Sequence, residues 1–159
     1  MIKIRAASWP RDLPVVQELF REYVESLGVD LSFQDFDAEV SGLPGRYARP
    51  GGEVLLAWEG GHAVGCVARR ALDAERCEMK RLYVRPAGRG TRLGRRLAQE
   101  ICEDARAAGF RRIYLDTLPA MTAAQGLYRS LGFLPTEAYT FNPITGTQYF
   151  RLDLRPALS

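Results

Sequence analysis

The sequence predicts one α/β domain over residues 1–159, built on a central sheet of mixed strand direction. Strands and helices alternate only in the second half of the chain, which disfavours a doubly wound parallel sheet. An apolar hairpin occupies the middle of the chain. The content of 47% hydrophobic and 26% charged residues is typical of a globular protein rather than a disordered one.

The first third of the chain predicts one strand and two helices. Alternation in IKIRAAS predicts a strand at its start, and an apolar stripe predicts a helix over Pro10–Leu27, ended by Gly28. A second short helix is expected within 31–43, and the Pro- and Gly-rich segment 44–52 is expected to be a loop.

The middle of the chain predicts a hairpin, a third strand and a long helix. Two apolar runs around E-G-G-H predict the hairpin within 53–72. RCEMKRLYV, residues 76–84, predicts a strand that ends before Pro86. Apolar spacing over Leu93–Ala108 predicts a helix, with Gly109 just beyond its end.

The last third predicts a strand in RRIYLDT, a helix over Ala120–Leu131 ended by Gly132, and two further strands in the tail from Phe133. Summed along the chain, these elements make a sheet of about six or seven strands flanked by about four helices.

Positive charge is concentrated in one segment. Residues 80–96 contain one Lys, six Arg and no acid, or +7, whereas the whole chain carries +3 and the remainder therefore −4. This local concentration of positive charge indicates that an anionic ligand binds at residues 80–96. A nucleic-acid-binding module using 80–96 is one alternative, disfavoured because Tyr83 is the segment's only aromatic residue.

Several classes of protein and site are disfavoured by what the sequence lacks. The three cysteines are odd in number and form no C-x-x-C pair, which predicts reduced thiols and neither a disulfide framework nor a zinc site. The single histidine, His62, has no second ligand nearby, so no metal is expected. Neither a membrane span nor a signal peptide is evident, and we expect a cytoplasmic protein.

The turn before the long helix has a composition suited to binding phosphate. A strand, a proline, a Gly-rich turn and a helix follow one another, so backbone N–H groups at the helix start would face a ligand. Gly88, Gly90 and Gly94 would allow close approach, and the arginines become favourable if phosphate lies between them. The alternative is a solvated helix end in an arginine-rich chain. The turn is neither a Walker P-loop nor a complete dinucleotide fingerprint.

Two motifs carry a resemblance to the GNAT superfamily of acetyl-CoA-dependent N-acetyltransferases. RGTRLG, residues 89–94, resembles that family's pyrophosphate signature Q/R-x-x-G-x-G/A. AQGLYRSLGF, residues 124–133, resembles its later A-x-x-x-Y-x-x-x-G-F helix. Two departures are Arg92, where the signature usually has Gly, and Met121, where many members have an Asn that contacts the cofactor.

The resemblance implies a mostly antiparallel sheet, with acetyl-CoA as co-substrate bound between a strand and the following turn. It implies that the strand end pairs with the pantetheine arm through its backbone and that the turn holds the pyrophosphate. The implied cofactor-binding residues are Leu82, Tyr83, Val84, Arg89, Gly90, Thr91, Arg92, Leu93, Gly94 and Arg95.

Transfer of acetyl to an amine needs a base, because an alkylammonium of pKa ~10.4 is protonated at neutral pH. Glu78 is the candidate, since several members carry a base at the matching strand position. Period two predicts that Glu78, Lys80, Leu82 and Val84 share one face, unless a bulge intervenes. Its pocket would have to raise the Glu78 pKa. The alternative is a surface Glu paired with a neighbouring cation.

Tyr128 is the candidate general acid, because the resemblance places its hydroxyl near the thioester sulfur; the alternative is an ordinary core tyrosine. The acceptor is expected to be a small-molecule or peptide amine whose identity the sequence leaves open. Exposed sheet edges are compatible with a homodimer. A catalytically idle acyl-CoA sensor remains an alternative. The residues expected to line the acceptor site are Tyr23, Phe33, Phe36 and Tyr149.

Overall fold

A computed structural model describes residues 1–30 and 35–154. The strands are β1 (Ile2–Ala6), β2 (Glu53–Glu59), β3 (His62–Ala71), β4 (Arg76–Val84), β5 (Arg112–Thr117), β6 (Leu134–Pro135) and β7 (Gln148–Asp153). The α-helices are α1 (Leu13–Leu27), α2 (Phe36–Ser41), α3 (Leu93–Ala107) and α4 (Thr122–Ser130).

The described strands form one sheet in the order β1-β2-β3-β4-β5-β7-β6. The β4–β5 pair is parallel, and every other neighbouring pair in this sheet is antiparallel. The prediction of a mostly antiparallel sheet of six or seven strands with about four helices is confirmed. The single parallel pair needs a crossover, which α3 supplies.

The two faces of the sheet bury separate apolar clusters. On one face α3 contributes Leu97, Ile101 and Ala105, which recur every four residues along one side of the helix and are fully buried. On the other face α1 contributes the fully buried Leu19 and Phe20, and α2 packs beside it. Both faces of the middle strands are therefore covered.

Some helix boundaries differ from those expected. The first helix begins at Leu13 rather than Pro10, with Pro14 in its first turn, where a missing N–H costs nothing. Gly28 ends that helix in the left-handed conformation, as a glycine allows. The second helix spans only Phe36–Ser41, and residues 31–34 of the predicted segment lie outside the described residues.

A bulge in β4 changes which side chains share a face. The pairing of β4 with β3 shifts between Cys66 and Ala68, and Arg81 has a φ of 61°. The bulge that would break the expected period of two is therefore present, and Glu78, Lys80, Leu82 and Val84 do not all share one face. Residues before the bulge keep period two, but the extra residue moves Leu82 and Val84 to the α3 face while Tyr83 joins the α1 face.

The parallel strands β4 and β5 separate beyond their first residues. Their pairing covers three positions only, of which the last joins Glu78 to Tyr114. Beyond Glu78, β4 has no described strand on that side, so its backbone N–H and C=O groups line a gap in the middle of the sheet.

Candidate active site

A narrow cavity of about 40 Å³ lies where β4 and β5 separate. Its walls come from α1, from both strands and from the start of α4. The lining includes Tyr23, Lys80, Leu82, Asp116, Met121 and Tyr128. Leu82 of the predicted cofactor set and Tyr23 of the predicted acceptor set thus meet the candidate acid, Tyr128, in one place.

A second cavity, of about 290 Å³, lies beside the first. It is bounded by β4, by the segment around α2 and by the connection between β6 and β7. The lining is Asp35, Arg46, Arg70, Glu78, Lys80, Asp116, Thr140 and Phe141. Lys80 and Asp116 line both cavities, so the two spaces meet at these residues. The candidate base and acid lie in different cavities on either side of that junction.

Glu78 is buried and fully engaged. Arg70 donates from Nε to Glu78 Oε1 at 2.7 Å, and the Tyr139 hydroxyl donates to Oε2 at 2.9 Å. Burial raises the pKa of the Glu78 carboxyl, but Lys80 and Arg70 outweigh it, so the pKa lies below its ordinary value. The expectation that the pocket raises this pKa is wrong, because the nearby Lys80 and Arg70 favour the ionised carboxylate more than burial disfavours it.

A buried ion network connects Glu78 to α2. Arg81 donates to both carboxylate oxygens of Glu39, at 2.9 and 3.0 Å, and Arg70 reaches Glu39 Oε1 at 3.5 Å. Two guanidinium groups and two carboxylates balance in charge within this network. Breaking one member would leave its partner charged and buried, which is the costly case.

Lys80 is the buried lysine at the junction of the two cavities. Its side chain points to the α1 face of β4, and the residue is 7% exposed. Burial, together with the nearby Arg81, lowers the pKa of the Lys80 ammonium from 10.5 to about 8. Lys80 is therefore a group whose charge changes close to neutral pH.

Tyr128 projects from α4 into the narrow cavity. Its ring packs on Phe133 with centroids 5.7 Å apart, and no residue in ranges 1–30 and 35–154 hydrogen-bonds to its hydroxyl. Burial raises the pKa of Tyr128 well above its ordinary value. The hydroxyl thus stays protonated at neutral pH and is available as a donor.

The N-terminus of α3 has the features that an anionic ligand requires. No side chain caps it, and no acid lies in its first turn. The turn before it is shaped by Gly90, which has a φ of 84°, and by Thr91, whose hydroxyl donates to the Gly88 carbonyl at 2.6 Å. Its unpaired N–H groups and positive dipole end would suit a pyrophosphate.

The basic segment 80–96 divides into two parts with different uses. Arg85 is paired with Glu18 and Glu22 of α1, both at 2.6 Å, and Arg81 is held by Glu39. Four other arginines of the segment form no ion pair with any described carboxylate. These are Arg89, Arg92, Arg95 and Arg96, all at or near the α3 N-terminus.

The backbone conformation at Arg92 shows why the family signature usually has glycine at this position. Its φ is 59°, in the left-handed region that glycine enters without steric cost. The side chain is exposed next to the turn. The departure from the motif therefore adds a positive charge at the expense of a less favourable backbone conformation.

Several other predicted site residues do not line either cavity. Leu93 is 2% exposed, so only its backbone faces the turn. Tyr149 packs edge-on against Tyr139 with centroids 5.8 Å apart. Phe36 lies in the core beneath the Arg81 guanidinium, 5.1 Å from its ring centroid, rather than on a cavity wall. Phe33 lies outside the described residues.

Sequence reasoning missed two residues that the fold places around Glu78. Arg70 and Asp116 come from β3 and β5, far apart in sequence. Only Asp116 had a usable signal, since it is the single acid of strand β5. The pairing of Arg70 with Glu78 depends on the register of β3 against β4, in which these residues lie opposite each other.

Similarity to known proteins identifies the family of this chain. The model of the acetyltransferase (GNAT) family matches residues 14–133. The chain belongs to the GNAT family. This GNAT enzyme is 42% identical over 155 residues to an uncharacterised N-acetyltransferase of Schizosaccharomyces pombe, covering 96% of this chain and 95% of that protein.

Solved structures agree with the GNAT fold. A GNAT-family acetyltransferase of Staphylococcus aureus has a TM-score of 0.78 at 19% identity, covering 98% of this chain and all of that one (100%). A putative acetyltransferase of Salmonella typhimurium, solved with acetyl-CoA, has a TM-score of 0.74 at 22% identity, covering 100% and 97% of the two chains. Within the described ranges, no helix is long and apolar enough to span a bilayer, and no His, Cys, Asp and Glu cluster could hold a metal.

Proposed function

We propose that this protein transfers an acetyl group from acetyl-CoA to a primary amine. The observation that carries the proposal is the gap between β4 and β5. Tyr128 lines the narrow cavity at this gap, and that cavity meets the larger, charged cavity at Lys80 and Asp116.

In this proposal acetyl-CoA binds along the unpaired side of β4. The backbone of Leu82–Val84 pairs with the pantetheine arm as an added strand would. The segment from Arg89 to Arg95 holds the pyrophosphate: the N–H groups from Gly90 onward face it, whereas the Arg89 N–H donates to the Pro86 carbonyl and only the Arg89 side chain is available. The thioester then lies in the narrow cavity beside Tyr128.

The acceptor amine occupies the larger cavity and reaches the thioester at the junction formed by Lys80 and Asp116. The amine nitrogen bonds to the acetyl carbon, the carbon–sulfur bond breaks, and one proton must leave nitrogen. Tyr128 is the proposed general acid: its hydroxyl proton passes to the leaving sulfur, coenzyme A departs as the free thiol, and the proton lost from nitrogen returns to the tyrosine through solvent. No metal is needed for this chemistry.

Glu78 is the proposed proton acceptor and acts through a water, because it does not line the cavity that contains Tyr128. Its lowered pKa keeps it ionised at neutral pH but makes it a weak base. Glu78 can therefore accept the proton once the nitrogen has become more acidic, which happens as the bond to the acetyl carbon forms. Asp116 is the rival base, since it lines both cavities and accepts a hydrogen bond from Asn142 Nδ2 at 3.1 Å.

Calorimetric titration with acetyl-CoA, beside ATP and a short DNA duplex, tests the cofactor assignment. We expect micromolar affinity for acetyl-CoA and much weaker binding of the other two anions, since neither carries a pantetheine arm to pair with β4. Equal binding of acetyl-CoA, ATP and the duplex would mean that the arginines form a general polyanion-binding surface, which favours the nucleic-acid alternative.

The proposal also covers catalytic activity, cellular location and oligomeric state. Both Glu78 and Tyr128 adjoin connected cavities, which favours an active enzyme over an idle acyl-CoA sensor. The three described cysteines are buried and unpaired, which supports the proposal that the protein works in the cytoplasm. A homodimer formed through a sheet edge remains part of the proposal.

A further inference from the structure

Lys80 brings a primary amine of the protein itself to the wall of the narrow cavity. The residue lines both cavities and is only 7% exposed. A compact space of about 40 Å³ is only about 4 Å across, so a group on its wall lies close to whatever fills it. Lys80 and Tyr128 line this same space, in which the proposed function places the thioester.

The surroundings of Lys80 increase the fraction of its amine that is neutral. Burial has the largest effect on its pKa, and the positive charges of Arg81 and Arg70 act in the same direction. The carboxylates of Glu78 and Asp116 oppose this effect only in part, so the pKa falls from 10.5 to about 8. At pH 7 the neutral fraction is then about 300-fold larger than that of an ordinary lysine. The neutral amine is the form that attacks a thioester.

Few other primary amines of the chain compete for an acetyl group. The sequence contains two lysines, Lys3 and Lys80, besides the N-terminal amine. Lys3 is exposed and lies in β1, opposite Trp58 of β2. In the sheet β1 is an edge strand, separated from β4 by β2 and β3. Lys3 is therefore an internal reference, a lysine that meets acetyl-CoA only from solvent.

We propose that Lys80 is a self-acetylation site, whose amine takes the acetyl group from bound acetyl-CoA when no acceptor is present. This inference rests on the proposed function, because it uses the same cofactor site and the same general acid. Lys80 Nζ bonds to the acetyl carbon, and the carbon–sulfur bond breaks. Nζ loses one proton to solvent, and the sulfur gains one from Tyr128, which solvent reprotonates. The products are acetyl-lysine and free coenzyme A.

Intact-mass spectrometry tests the proposal on protein incubated with acetyl-CoA in a buffer free of primary amines. We expect each chain to gain the mass of one acetyl group and to release one equivalent of thiol. Peptide mapping should place that acetyl group on Lys80. The rate at Lys80 should exceed that at Lys3 at least tenfold, because Lys80 combines a larger neutral fraction with a position beside the bound thioester.

Three variants separate this reaction from uncatalysed acetylation. Lys80→Arg keeps a cation at the junction but removes the primary amine, so it should abolish both the added mass and the thiol equivalent. Lys3→Arg is the matched control and should leave both unchanged. Gly94→Asp, at the start of α3, should slow acetylation of Lys80 at least tenfold by weakening acetyl-CoA binding, and should leave the slow reaction of Lys3 unchanged.

The outcomes distinguish failure of the inference from failure of the proposed function. Lys80 that stays unmodified while calorimetry shows bound acetyl-CoA overturns self-acetylation alone, and an added amine should then still drive thiol release. Equal rates at Lys80 and Lys3, or a Lys80 rate that Gly94→Asp does not change, also overturn it, because the reaction would not use the bound cofactor. Absence of acetyl-CoA binding overturns the proposed function and the inference together.

Discussion

Glu78→Gln is expected to lower kcat at neutral pH by about 100-fold, in the range typical of a lost general base. The amide is nearly isosteric but cannot accept the proton that leaves the amine. The deficit should shrink as pH rises, because hydroxide can then accept the proton that leaves the nitrogen as the new bond forms. Initial rates of thiol release between neutral pH and the pKa of the acceptor measure this effect.

The substitution also disturbs a buried ion pair, so a stability control is needed. Losing the charged hydrogen bond from Arg70 should lower the free energy of unfolding by about 2 kcal/mol. Glu39→Gln removes a carboxylate from the same network and should cost at least as much, because Glu39 accepts from both Arg81 and Arg70, yet it should leave most of the activity. Equal rate losses in both variants would assign Glu78 a structural role, and loss only in Asp116→Asn would move the base to Asp116.

Gly94→Asp is expected to weaken acetyl-CoA binding by at least about 100-fold, or roughly 2.7 kcal/mol. The new carboxylate would lie in the first turn of α3, where the proposed pyrophosphate needs the N–H groups. There is room for the side chain, since a Cβ at this position would come no closer than 3.9 Å to Leu127 and Val84. Calorimetric titration measures the loss.

The same substitution should leave the empty protein as stable or more stable. An acid in a helix first turn gains about 0.3–1 kcal/mol from the dipole, which this helix otherwise leaves uncompensated. Gly126→Asp is the matched control, because Gly126 is exposed on α4 with nothing near its added Cβ, and it should bind acetyl-CoA normally. Unchanged affinity in a folded Gly94→Asp protein would remove the pyrophosphate assignment.

The elements of this fold were predictable because each depends on neighbouring residues. Apolar residues at helical spacing and a following glycine predict the extent of α3. The Gly-rich turn before it predicts where the helix begins, because glycines leave the backbone of the turn accessible. The Arg81 bulge was not predictable, because nothing in RCEMKRLYV marks a non-glycine residue with positive φ. That one residue decides which side chains of β4 face the acceptor side.

The electrostatics of the site were less predictable than its location. Glu78 was found from the sequence, but its lowered pKa depends on Arg70 from β3 and Lys80 from its own strand. The basic segment looked uniform in sequence, yet α1 supplies acids that engage Arg85 and leave the later arginines unpaired. Contacts between distant segments set these charges, and no local pattern encodes them.

Amine-dependent release of free thiol from acetyl-CoA, with the acceptor product weighed by mass spectrometry, tests the central claim most directly. The account predicts that repeated thiol release requires an added amine and that the acceptor gains the mass of one acetyl group per turnover. Repeated thiol release that does not depend on any added amine, or acetyl-CoA that binds and stays intact across the whole panel, would contradict it.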